Sequence, residues 1–171
     1  MSELRYVDII NLDVVDLSHC STQERAEWVV RHVEELAEFL ERADGKVAPA
    51  EVVHVCRHAL QAASLSHRAA NLQSAADAAR AAAAGSAASV HAPSGPMRRA
   101  ASLGRCVEKL LPLVQLVGTH LSPEETVAVI RLSLEAALME LTASTMREAA
   151  QTARSNATKK TPQAQATGGG A

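Results

Sequence analysis

The stretch SPEETVAVIRLSLEAALMELTASTM, residues 122–146, decides the fold class. Ser122 has the side chain of a helix N-cap, and Pro123 has the fixed φ that suits a first helical position. Glu125 stands where its carboxylate can return a bond to the cap's own N–H. A helix is therefore predicted to start at Pro123. Beyond that point Val127, Ile130, Leu134, Ala137 and Leu141 recur at intervals of three and four, which lines one helical face. Val129, Leu132, Met139 and Met146 line a second. A bundle helix needs only one apolar stripe against its neighbours, so this one carries a surplus.

Working outward, the same grammar recurs. Ser21 or Thr22, with Glu24 close behind, opens a helix that ends near Ala43-Asp44-Gly45. Its stripe is Ala26, Val29, Val30, Val33, Leu36, Ala37 and Leu40, opposite Glu34, Glu38 and Glu41. A second helix is predicted from Pro49 towards Ala84-Gly85, with core candidates Val52, Val53, Cys56, Leu60 and Leu65. After Ala69 its apolar positions are almost all alanine, apart from Leu72. Residues 85–96 are rich in Gly, Ala, Ser and Pro and read as a flexible surface loop. A third helix from about Met97 carries a seam of Leu103, Val107, Leu110, Val114, Val117 and Leu121, with Pro112 removing one backbone bond inside it. It turns directly into the helix that starts at Pro123, so the two are expected to form an antiparallel hairpin. The segment from Tyr6 to Leu17 reads as a short helix or a packed extended arm, because no second strand candidate exists to pair with it. Residues 156–171, with Lys159, Lys160 and a run of glycines, lack apolar side chains and are expected to be disordered.

The composition agrees with helices and narrows the function. Of 171 residues 34 are alanine, and 47% are hydrophobic. At this length roughly two-thirds of the unfolded surface is buried on folding, enough for one domain without disulfide or metal staples. A formal charge of -2 with one Trp, one Tyr and one Phe gives neither phosphate attraction nor base stacking, so no nucleic-acid partner is expected. Cys20, Cys56 and Cys106 are odd in number and widely spaced, which reads as reduced thiols in the cytoplasm. The opening residues show no secretory signal, and no run of 18 apolar residues predicts a membrane span.

Four groups of residues hold candidate chemistry. Glu51, His54 and His58 fall along one side of the second helix at metal-ligand spacing. That side has no fourth ligand and lies beside Arg57, so it reads as a solvated face and no metal is expected. The run from Arg57 to Ser64 resembles the phosphoacceptor helix of histidine phosphotransfer domains, in that His58 is followed two residues on by Leu60. The resemblance implies a helical bundle with His58 as phosphoacceptor or as a docking element. Gln61 stands where that family has lysine and Ala62 where it has glycine, so the cation and the clearance that transfer needs are both missing. Cys20 follows His19 just before a helix N-terminus, where a dipole lowers a thiol pKa, yet no third group orients the pair. Arg99 stands three residues before Ser102 in the manner of a basophilic kinase site, although a solvated helical face is the default there. No cofactor-binding or hydrolase motif is present.

A fifth group weighs most. Trp28 and Phe39 share a side of the first helix, about a third of a turn from its main stripe, and Leu132, Met139 and Met146 repeat the arrangement on the last helix. Methionine adapts to irregular partner surfaces. The expectation is thus an all-α protein, an antiparallel bundle of four main helices over residues 21–155, that is no enzyme. It binds another protein, or a second copy of itself, through Trp28, Phe39, Leu132, Met139 and Met146. The alternative is a phosphotransfer-like domain presenting His58.

Overall fold

The computed structural model describes residues 19–84 and 95–159, so the expected N-terminal arm, the loop residues 85–94 and the tail from 160 lie outside the described residues. The described residues form four helices and no strand, namely α1 (Thr22–Ala43), α2 (Pro49–Ala83), α3 (Gly95–Gln115) and α4 (Pro123–Lys159). The last helix therefore runs past the point where the tail was expected to begin. The chain divides into two compact units, Met1–Leu138 and Met139–Ala171.

Helix boundaries follow from local chemistry. At the start of α1 the Ser21 N–H donates to the Glu24 carboxylate at 2.7 Å, and the Ser21 hydroxyl accepts from the Glu24 N–H at 3.2 Å. Two N–H groups that the helix leaves without partners are thereby satisfied. At its end Asp44 is extended (φ -56°, ψ 121°) and Gly45 is left-handed (φ 66°), the geometry of a type II turn closed by Lys46 N–H to Ala43 C=O at 3.0 Å. Ser122 and Glu125 repeat the reciprocal cap at the start of α4, with bonds of 2.8 and 3.2 Å. The seam of α3 was expected to run through Val117 and Leu121, but the helix stops at Gln115. Gly118 at φ 82° turns the chain out of it, and Val117 and Leu121 pair in an isolated bridge instead.

In the first unit α1, α2 and α3 pack against one another in all three pairings. A helix with two neighbours buries a broad face rather than a stripe, which explains two departures from the sequence-based expectation. On α1 the buried set includes His32 and Phe39 alongside Val29, Val33, Leu36 and Leu40. On α2 it includes Val55 alongside Val52, Val53, Cys56 and Leu60, while Leu65 is 68% exposed and belongs to no core. Small residues bring α2 and α3 together: a Cβ on Gly104 would collide with the ring of His67. Beyond Ala70 nothing on α2 is buried. The N-terminal turns of α4 contribute Thr126, Ile130 and Leu134, all fully buried. Polar ties link α4 to its surroundings in this unit, Arg131 to Asp44 at 3.0 Å and the Cys106 thiol to the Ser133 carbonyl at 3.7 Å.

The described part of the second unit is the remainder of α4. Every residue from Thr145 to Thr158 is exposed. Its hydroxyls turn inward on their own helix: Thr145, Thr152 and Thr158 donate to the carbonyls of Leu141, Glu148 and Arg154 at 2.9 to 3.2 Å. At about 1.5 Å per residue this helix is roughly 30 Å long.

Candidate functional site

Each sequence-predicted residue can now be placed. Phe39 is 2% exposed and sits in the core of the first unit, so it is not available to a partner. The expectation gave this side of α1 to a partner, whereas α1 packs on both α2 and α3 and Phe39 is covered within the unit. Trp28 is half-buried: it packs, with Val30 and Met97, on the cluster of Ala26, Val29 and Ala100. Its indole stacks on His32, with ring centroids 4.5 Å apart and planes 13° from parallel. Leu132, Met139 and Met146 are 62, 67 and 68% exposed. In the second unit Met139 and Met146 stand seven residues apart and so share one side of the helix as exposed large apolar side chains.

The imidazoles divide into two kinds. His32 is buried and bonds the backbone of Ala59, while its Nε2 has no hydrogen-bond partner among the described residues. Burial holds its pKa below the usual histidine value, against the smaller opposing effect of Glu35. His67 lies against Gly104, within 3.1 Å of Asn71, and burial again lowers its pKa. Glu108 opposes that shift, while Arg105 and Arg68 add to it. Both are neutral core histidines. His54 and His58, by contrast, are exposed, with rings edge to face at 4.5 Å. Among the described residues no group of three or more His, Cys, Asp or Glu is placed to hold a metal ion, so Glu51, His54 and His58 do not converge as ligands.

The thiols are uniformly free. Burial pushes Cys56 up to about 12 and raises Cys106 as well, which leaves both as weak nucleophiles. Cys20 is half-buried beside exposed His19, and its carbonyl accepts from the Arg25 side chain at 3.3 Å. Ser102 is half-buried on α3. No described helix is long and apolar enough to cross a membrane.

Sequence reasoning found the methionines on α4 but missed the alanines that share their line. Ala143, Ala150, Ala153 and Ala157 take the remaining positions of the same line, which steps by four and three from Met139 through Met146 to Ala157. The signal was present in the spacing, but alanine is so common in this chain that it did not stand out. Compared with known proteins, the chain matches no family model, no curated protein and no solved structure.

Proposed function

We propose that this protein is a non-catalytic interaction module of the cytoplasm, in which four helices arranged as an antiparallel bundle carry an adhesive face on the second half of α4. The observation that carries the reading is the exposure of Met139 and Met146 on a helix whose residues from Thr145 onward bury nothing. Isolated helices are marginal in water, and most helical stability in proteins comes from tertiary packing of an apolar face. Solvated methionines on such a helix are stabilised by burial of roughly 1.5–3 kcal/mol each when a second surface covers them. The test is a photo-reactive amino acid placed at position 146 in living cells, with position 148 on the opposite side as control. The reading requires a protein adduct at 146 that is absent at 148, and is refuted when neither position yields one.

A phosphoryl relay through His58 is the second reading, favoured by one observation, the exposure of that imidazole on a long helix. An acid-labile phosphate lost in His58→Ala would support it, and the absence of transfer from any receiver domain would remove it.

A further inference from the structure

The second unit holds more than exposed methionines. Met139, Ala143, Met146, Ala150, Ala153 and Ala157 occupy alternating intervals of four and three, the a and d positions of a heptad repeat. Leu132 continues the same spacing back along the sequence. In this register Glu140, Arg147 and Arg154 take the e positions that flank the seam, and all three are exposed.

We infer that the occupant of this face is a second copy of the chain, paired antiparallel along α4 from Met139 to Ala150. Size and charge each support it. Antiparallel pairing about a point between Ala143 and Met146 sets Met146 of one copy opposite Ala143 of the other, and Met139 opposite Ala150. Every bulky layer then faces a small one, so the helices approach closely without voids. The same register sets Glu140 against Arg147 of the second copy, twice by symmetry. Slipping one heptad one way brings Glu140 against Glu140, and slipping one heptad the other way brings Arg147 against Arg147 while pairing Glu140 with Arg154. Parallel pairing stacks Met on Met and Ala on Ala, and sets Thr142 against Arg147 and Ala149 against Arg154, with no opposite charges matched. Of these arrangements only the first sets large layers on small ones and matches opposite charges without any like-charge pair.

This inference rests on the reading of the second unit as an interaction face, and the experiment separates the two. Sedimentation equilibrium of the full chain is expected to show a monomer–dimer exchange with a Kd on the order of micromolar, as suits a short seam with two methionines per copy. Glu140→Arg alone and Arg147→Glu alone each convert both cross-pairs to repulsion and raise Kd by about tenfold or more. The double variant Glu140→Arg/Arg147→Glu restores the opposite charges and returns Kd to within about threefold of the parent. Glu140 and Arg147 stand seven residues apart on an exposed surface, so their exchange leaves the fold intact, which unchanged far-UV circular dichroism verifies. A single variant that dimerises like the parent, or a double variant that is not rescued, overturns the inference. So does a strict monomer at about millimolar concentration. In that monomer, a photo-adduct from position 146 to a different polypeptide keeps the interaction reading while removing the second copy. An adduct to this chain's own residues 1–18, or none at all, removes both.

Discussion

Gly104 is the point where the packing of α2 on α3 is most exposed to test. Replacing glycine by alanine inside a helix ordinarily stabilises by about 1 kcal/mol, because alanine loses less backbone freedom. Here the added methyl falls on the Cγ, Cδ2 and Nδ1 atoms of His67, closer than any real Cβ contact. The ring cannot swing aside cheaply. It is buried, its first ring atom is among those struck, and Asn71 lies within hydrogen-bond distance of its far nitrogen. Relief must come from the helices separating or the ring leaving its rotamer, and overpacking of that kind costs about 1–3 kcal/mol. It also lifts contacts around Ala100, Leu103 and Val107. The net expectation for Gly104→Ala is a loss of about 1–2 kcal/mol, read as a lower urea midpoint at unchanged slope. In a His67→Ala background the obstacle is gone, and the same substitution becomes neutral or stabilising, a double-mutant coupling of about 1–3 kcal/mol. A gain of about 1 kcal/mol for Gly104→Ala in the parent protein would refute the close approach of α2 to α3.

Two further outcomes follow from the burial pattern. Phe39→Ala, which empties a fully packed site, is expected to cost about 3–5 kcal/mol in urea unfolding, whereas Leu132→Ala on the exposed line stays within about 0.5 kcal/mol for the isolated monomer; similar losses for both would contradict the burial pattern. For His32 and His67 the folded pKa lies below the unfolded value of 6.5. The unfolded chain therefore takes up protons first, so the stability that neutral histidines contribute is complete above pH 6.5 and is lost as pH falls from there towards the depressed folded values. Urea midpoints are expected to drop as pH falls below 6.5, with a shallower drop in His32→Gln, and an identical slope in that variant would count against the buried neutral imidazole.

Which parts of this structure were legible in the sequence depends on the range of the physics involved. Caps and turns act within four residues, so Ser21–Glu24, Pro49 and Ser122–Glu125 disclosed three helix starts, and Gly45 disclosed the end of α1. Periodicity is also local, and it identified Leu103, Val107, Leu110 and Val114 as one face of α3. It does not say how many neighbours a helix has. That is why Phe39 was placed on a partner face while it is buried in the core of the first unit, and why Leu65 was placed in the core while it is exposed. The approach of Gly104 to His67 joins residues far apart in the chain, and no short-range signal reports it. Among the interaction residues, Leu132, Met139 and Met146 were visible as an apolar line without a neighbour, and the structure leaves all three exposed.

The most direct measurement is amide hydrogen exchange over Met139 to Lys159 as protein concentration is raised through the micromolar range. If that helical face is closed by association, protection of these amides climbs with concentration, while the amides of Val29, Cys56 and Val107 in the first unit keep constant protection. If exchange over Met139 to Lys159 is fast and independent of concentration, and stays so with cellular extract added, the helix meets nothing and the account is wrong.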